Sequence, residues 1–221
     1  MQRINTITLT KSLPRVFRGE ETSEAISRSQ IWLTEVEFRR PGFYLVSAES
    51  GTGKSSMCSF IYGDRTDYDG TISFNGRDVA TISTEEWCEL RRSHLAYLPQ
   101  EMRLFPELSV MDNLQLKNGL TDRYSEAELI RMLEALEIEG KRDEPAGRLS
   151  VGQQQRVAII RAIAQPFDYL LLDEPVSHLD ARNNDAAAGL IASAVLEAEG
   201  AVIATSVGNH INLPFTHTIA L

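Results

Sequence analysis

Apolar positions along this chain fall into two rhythms. Phe43 to Val46 is a short unbroken apolar run, the pattern of a strand buried on both faces. Tyr169 to Leu172 and Ala201 to Thr205 predict further strands. Near the start, Ile4, Ile7 and Leu9 open a β-rich segment. Trp32, Leu33, Val36 and Phe38 predict a second strand running to the turn dipeptide Pro41-Gly42. Between the two, Arg18 to Gln30 is polar and charged, an exposed loop or short helix. Residues 71–75 alternate and end at the turn signal Asn75-Gly76, and Ala96 to Leu98 is a brief strand stopped by Pro99. Elsewhere the spacing is helical. Met57 to Tyr62 is compatible with a helix. Ser83 with Glu86 has capping-box spacing and opens a helix through Leu90; Ser125 with Glu128 opens another, continued by Leu129, Leu133 and Leu136. The pattern stays helical from Ser109 to Leu149, a further helix begins near Ser150, and one more fills Asp185 to Glu199.

Strands and helices alternate, which predicts an α/β fold around a mostly parallel central sheet. The expected organisation is a single domain over 1–221. An N-terminal antiparallel β subdomain occupies about 1–46, with the first core strand following, and a helical subdomain is inserted at about 101–149. The composition agrees with a soluble globular chain: 221 residues, 43% hydrophobic and 24% charged. A chain of this length buries roughly 70% of its unfolded surface, enough for one core without staples. The 22 basic and 31 acidic residues leave a net charge of −9, which disfavours a general nucleic-acid binder. Cys58 and Cys88 have no metal-ligand or redox spacing and predict a reducing compartment. The first residues, Met1 to Asn5, lack a signal-peptide core, and no apolar run approaches the roughly 20 residues that span a bilayer. A cytoplasmic protein is expected, one that acts on a membrane only through a partner.

The chemistry begins where the buried strand ends. Ser50-Gly51-Thr52-Gly53-Lys54-Ser55-Ser56 places a glycine-rich turn between that strand and a helix, the arrangement of a P-loop NTPase. Glycines let backbone N–H groups converge on phosphate oxygens, and the helix N-terminus adds partial positive charge. Lys54 is expected to reach the β- and γ-phosphates, and the Ser55 hydroxyl to ligate Mg²⁺. The strict pattern has glycine where this chain has Ala48; if that position needs a positive φ, the methyl costs about 1 kcal/mol. At the end of the 169–172 strand stand Asp173 and Glu174. By chemistry Asp173 takes the metal and Glu174 orients or deprotonates the attacking water. Ser150 with Gln153 is another capping-box spacing, 23 positions before Asp173, and opens a helix end able to meet an anion.

Together these segments resemble the nucleotide-binding domains of ABC ATPases. Ala48 to Ser56 is similar to their Walker A, Leu149 to Gln153 to the LSGGQ signature, and Leu170 to Glu174 to Walker B. Tyr97-Leu98-Pro99-Gln100 resembles the approach to the Q-loop, and Ser177-His178-Leu179-Asp180 the D-loop. The order matches, and the likeness covers residues 31–206. The resemblance implies that two such domains meet head to tail around two ATP molecules. Ser50 to Ser56 would hold the nucleotide from one side. Ser150, Gly152 and Gln153 would meet the γ-phosphate from the other chain. Gln100 would approach Mg²⁺ and sense the γ-phosphate, and Asp180 would communicate between the sites.

Besides Ala48, the chain departs from the family at three places. Ser206, 33 positions after Asp173, stands where the family has its switch histidine; serine donates a hydrogen bond but carries no imidazolium charge. His210 substitutes only if the loop is remodelled. Val151 replaces the first signature glycine, and His178 is unusual in a D-loop. Phe17 is the best candidate for the aromatic that stacks on adenine, whereas Phe43 and Tyr44 are expected in the core. Ala48, Val151 and Ser206 together lead to the expectation of an ATPase that binds Mg-ATP but hydrolyses it slowly, unless a partner or second chain completes the site. The leading expectation is the ATP-binding subunit of a membrane transporter with a separate transmembrane permease, peripheral on the cytoplasmic face. Leu104 to Asn113 resembles the docking region of bacterial subunits, most like the lipoprotein-release and cell-division branch; ordinary subdomain core is the other reading of Leu104 to Leu108. A soluble ABC ATPase acting on a protein or cofactor assembly is the alternative, with a hydrolysis-poor regulator third. Homodimer and heterodimer both remain open.

Overall fold

The computed structural model describes residues 2–20 and 23–221; Met1, and Glu21 and Thr22 inside the expected polar loop, lie outside the described residues. The chain opens with strand β1 (Thr6–Pro14), and the polar segment that follows holds the short helix α1 (Glu24–Ser27). Strand β2 (Glu35–Arg39) then pairs antiparallel with β1, Ile7 opposite Phe38. Trp32 and Leu33, expected in this strand, precede it instead. Leu33 has φ 59°, and the Ser29 hydroxyl accepts from the Ile31 and Trp32 N–H groups at 3.0 and 2.8 Å. Those bonds hold residues 29–33 in a tight turn, so Ile31 and Trp32 are buried under a loop rather than in a ladder.

The unbroken apolar run forms β3 (Gly42–Ser47), with the first five residues buried. It leads through the glycine-rich turn into α2 (Lys54–Tyr62), which starts three residues earlier than the apolar spacing alone indicated. The hairpin β4 (Tyr68–Phe74) and β5 (Arg77–Asp78) turns at Asn75-Gly76, and β4 pairs with β1. The antiparallel sheet thus has the order β2-β1-β4-β5 and draws half its strands from beyond residue 46. Next come α3 (Thr84–Ser93), which runs three residues past Leu90, and β6 (Leu95–Leu98). The insertion supplies α4 (Val110–Asn118) and α5 (Glu126–Ala135). Helix α6 (Val151–Ile163), strand β7 (Tyr169–Asp173), helix α7 (Ala181–Glu197) and strand β8 (Ala201–Ser206) follow. A last strand not expected from the pattern, β9 (His217–Ala220), closes the chain. Helix α7 begins four residues before Asp185 because the Asp180 side chain caps it.

The second sheet has the order β6-β7-β8-β3-β9, parallel throughout. Its middle strands are buried on both faces, which is why they read as continuous apolar runs. Each of Leu170, Leu171 and Leu172 is fully buried and contributes about 1.5–3 kcal/mol through removal of apolar surface from water. Tyr169 ties the sheets together: its hydroxyl reaches the Asn5 and Phe38 carbonyls at 2.9 and 2.8 Å. Phe43 and Tyr44 are core residues, as expected. Capping boxes form at Ser83, Ser109, Ser125 and Ser150. Leu114, Leu129 and Leu133 of the insertion pack into the same apolar cluster as α6 and β7. Cys58 is buried and Cys88 exposed, both as free thiols.

Candidate nucleotide site

Parallel strands carry their connecting loops to one edge, and the expected chemistry collects at the C-terminal edge of β3, β7 and β8. At the end of β3 the turn passes through Gly51 (φ 83°) and Gly53 (φ 99°), both left-handed. A Cβ added at Gly53 would in addition press on Phe17 and Trp32, 3.1 Å from each ring. Glycine is required there by conformation and by space. Ala48 is different. Its φ is not positive, and its N–H bonds the Ser206 carbonyl at 3.2 Å, extending the β3–β8 ladder. The expected penalty for its methyl is therefore absent. Lys54 opens α2, and its buried Nζ donates to the Glu49 carbonyl at 3.0 Å. Thr52 Oγ1 donates to the same carbonyl. Ser55 is exposed, and Ser56 accepts a hydrogen bond from Arg65 at 3.0 Å.

Two carboxylates stand at the end of β7, and the second meets that lysine. Glu174 Oε1 lies 3.5 Å from Lys54 Nζ. Its backbone is left-handed (φ 51°), uncommon for glutamate, and it is held at both ends. The Glu174 N–H donates to Thr205 Oγ1 at 3.2 Å, and its carbonyl accepts from Gln155 Nε2 at 3.3 Å. Thr205 Oγ1 also donates to Asp173 Oδ1 at 2.7 Å, so one hydroxyl positions both acids. Burial raises the Asp173 carboxyl above its usual value, offset by the nearby Ser55 and Thr205 hydroxyls and raised further by Glu174. Among the described residues, Asp173 Oδ2 is buried with no hydrogen-bond partner. An orphaned carboxylate oxygen is unstable in an apolar interior unless a cation or water meets it. With a hydroxyl beside it, this is a hard-oxygen donor set that fits Mg²⁺.

The remaining expected residues form a second group. Ser150 caps α6: its hydroxyl accepts from the Gln153 N–H at 3.3 Å, and its own N–H donates to Gln153 Oε1 at 2.9 Å. Removing that cap in Ser150→Ala is expected to lower stability by about 1 kcal/mol, read as a shift of the urea midpoint at unchanged slope. An unshifted midpoint would show that the cap is redundant. Gly152 lies against the D-loop, where an added Cβ would come within 2.9 Å of the His178 carbonyl. Val151 is exposed on the first turn of α6. Asp180 accepts from the Asn183 backbone N–H at 2.8 Å, and bonds from Asn183 hold its carboxyl below the usual value. Among the described residues, the side chains of Ser150, Gln153 and Asp180 make only such local bonds and none to residues 48–56. Gln155, which no expected motif includes, joins the two groups: it donates to the Glu174 carbonyl and Ser177 and accepts from the His178 N–H at 3.0 Å. Gln100 is exposed just past β6, the strand beside β7.

Ser206 does not present a free donor. Strand β8 continues through it, the residue is buried, and its hydroxyl donates to the Asn209 carbonyl at 2.9 Å. The imidazole of His210 stands edge-on to Phe215 at 5.8 Å. Phe17, the candidate named for stacking on adenine, ends a short 3-10 turn beside Gly53. Asp69 fixes that turn through Arg18 at 2.7 and 2.6 Å.

Comparison with known proteins agrees with this arrangement. The family profile described as ABC transporter matches residues 36–177. The chain is 34% identical over 150 residues to the lipoprotein-releasing system ATP-binding protein LolD of Novosphingobium aromaticivorans, spanning 66% of this chain and 67% of that protein. It is 34% identical over 142 residues to the aliphatic sulfonates import ATP-binding protein SsuB of Bacillus subtilis, 64% of this chain and 52% of that one. Among solved structures, a dimeric ATP-binding cassette in a post-hydrolysis state with ADP and Pi superposes with a TM-score of 0.69 at 25% identity, covering 80% of each chain.

Proposed function

The chain belongs to the ABC transporter family of ATPases, and from that premise we propose that it powers a membrane transporter whose spanning part is a separate chain. The observation that carries the ATPase part of this reading is the contact of Lys54 with Glu174, beside a buried Asp173 oxygen that is unpartnered among the described residues. Lys54 is held by the Glu49 carbonyl and Glu174. When ATP enters, Lys54 turns to the β- and γ-phosphates, and the N–H groups of residues 50–56 close around them. Glu174, released from the lysine, orients the attacking water and takes its proton. Asp173, Ser55 and Gln100 are the residues to hold Mg²⁺, which when bound neutralises developing charge on the phosphate oxygens.

A second domain of the same kind supplies Ser150, Gly152 and Gln153 across a head-to-tail interface, with Asp180 beside it. Among the described residues no helix is long and apolar enough to cross a membrane. The exposed Phe105 in the Leu104–Asn113 stretch is the place for that partner to dock. Buried Asn113 braces this loop by accepting from the Phe105 N–H at 2.9 Å and donating to its carbonyl at 3.0 Å. The chain then works at the cytoplasmic face as a peripheral subunit.

Hydrolysis by the isolated chain is slow in this reading, because the Ser206 hydroxyl already serves Asn209 and His210 packs on Phe215. Turnover of the purified chain is expected below about 1 per second, the low end for enzymes, and higher in the complex. Hundreds of turnovers per second from the chain alone would remove the slow-hydrolysis reading. Purification of the tagged chain from detergent-solubilised cells is expected to bring down a multi-span membrane protein in near-equal amount. Recovery of soluble proteins only would shift the reading to a soluble ATPase.

A further inference from the structure

The phosphate loop rests on a residue that no phosphate-binding pattern contains. Trp32 is 1% exposed, and its indole N–H donates to the Thr52 carbonyl at 2.8 Å. The ring edge also lies where a side chain at Gly53 would have to go, and Phe17 and Pro14 complete the same floor. Trp32 is itself fixed from behind. Ser29 Oγ accepts from its backbone N–H, the Leu33 N–H bonds the Ser12 carbonyl at 3.0 Å, and the Gln30 N–H bonds the Ala220 carbonyl at 2.9 Å. The segment between β1 and β2 is thus anchored to β1 on one side and to the last strand on the other, with the indole directed at the loop.

The direction of this one hydrogen bond has a consequence for the next residue. Across a planar trans peptide, the carbonyl of one residue and the N–H of the next point to opposite sides. Holding the Thr52 carbonyl on the aromatic floor therefore turns the Gly53 N–H away from that floor. Among the described residues this N–H donates to no protein group. Gly51 and Gly53 are both left-handed, and the two glycines leave the 51–53 peptides free to flip. A flip at 52–53 would turn an N–H toward the indole N–H and leave that buried donor without an acceptor, which is unfavourable.

We infer that Trp32 is a positioning residue for nucleotide: through the Thr52 carbonyl it locks the 52–53 peptide with its N–H presented to the phosphates of ATP. This rests on the ATP-site reading above. The alternative is that the indole only fills space beneath the turn.

Trp32→Phe separates the two, since it keeps an aromatic ring and removes the donor. In the full-length chain, the Kd for ATP is expected to rise about fivefold, the loss of one neutral hydrogen bond, while Tm stays within a few degrees. An unchanged Kd with a lowered Tm would overturn the proposal and leave Trp32 a core residue. A wild-type chain that binds no ATP would overturn the site reading itself, and the proposal with it; ATP binding by the wild type that is lost in Lys54→Ala upholds that reading independently. Should Trp32→Phe fail to fold, the wild-type protein provides the second measurement. It has two indole N–H resonances, and Trp87→Phe identifies the one from Trp32, because Trp87 packs apart on Gly63 and Arg91. The Trp32 resonance is expected to move on ATP addition. No movement at saturating ATP would overturn the proposal.

Discussion

Glu174→Gln is expected to lower ATP turnover by roughly 10²- to 10⁴-fold, the range for removing a general base, with ATP affinity held within a few fold. The substitution is nearly isosteric, and the backbone of Glu174 is set by Thr205 and Gln155 rather than by its own side chain. The left-handed conformation at φ 51° should therefore survive. What disappears is the capacity to accept a proton from water. The variant also loses the charge that pairs with Lys54 at 3.5 Å, leaving the lysine freer to meet phosphate. Phosphate release and equilibrium ATP binding, measured on the same preparation, separate the two effects. Unchanged turnover would place the base elsewhere and dissolve the role assigned to this acid.

The second large effect lies at the opposite edge of the parallel sheet, far from nucleotide. Asp168, immediately before β7, is 2% exposed and accepts from Arg3 Nε at 2.7 Å and the Ile4 N–H at 2.8 Å; its Oδ2 lies 2.6 Å from His94 Nδ1. It fastens the first residues of the chain to the base of the core. Asp168→Ala strips these partners of their acceptor at once. Breaking a buried pair costs about 3–5 kcal/mol; the lower end applies because the Arg3 side chain is 43% exposed and regains water. About 3 kcal/mol corresponds to a Tm loss of roughly 6–12 °C in a chain of this size. The pH dependence has a definite sign. Burial alone would raise the Asp168 carboxyl, but the His94, Arg3 and Ile4 bonds outweigh it and hold the group below its usual value. Its contribution is present above the unfolded value of about 4 and is lost as pH falls through the lower folded value. Urea melts at pH 7 and near pH 3 should show the gap between wild type and variant narrowing in acid. A gap of the same size at both pH values would mean that Asp168 acts through packing.

Much of the frame is legible in the residues alone. β3 and β7 stand out as apolar runs because parallel strands buried on both faces tolerate no polar alternation. Capping boxes at Ser83, Ser125 and Ser150 are legible because the spacing that signals them is the spacing that makes the hydrogen bonds. Lys54, Asp173 and Glu174 follow from motif chemistry, and their mutual approach follows from strand order. Errors arise where burial comes from tertiary contact. Trp32 looks like a strand residue by composition, yet it is buried under a turn. Ala48 reads as strained, but continuation of the ladder to Ser206 keeps its φ out of the left-handed region. Ser206 reads as available, but one more residue of β8 and a bond to Asn209 engage its hydroxyl. Thr205 and Gln155 carry no motif; only the register of β7 against β8 and the packing of α6 bring them to the acids.

The order of strands in the parallel sheet bears on how the protein is made. β3, which launches the phosphate loop, lies between β8 and β9, two strands that follow it by more than 150 residues. On the ribosome, that apolar strand therefore emerges long before either neighbour exists, and it stays unpaired through most of synthesis. The strand that launches the phosphate loop therefore acquires both of its parallel neighbours only when residues 201–220 have been made.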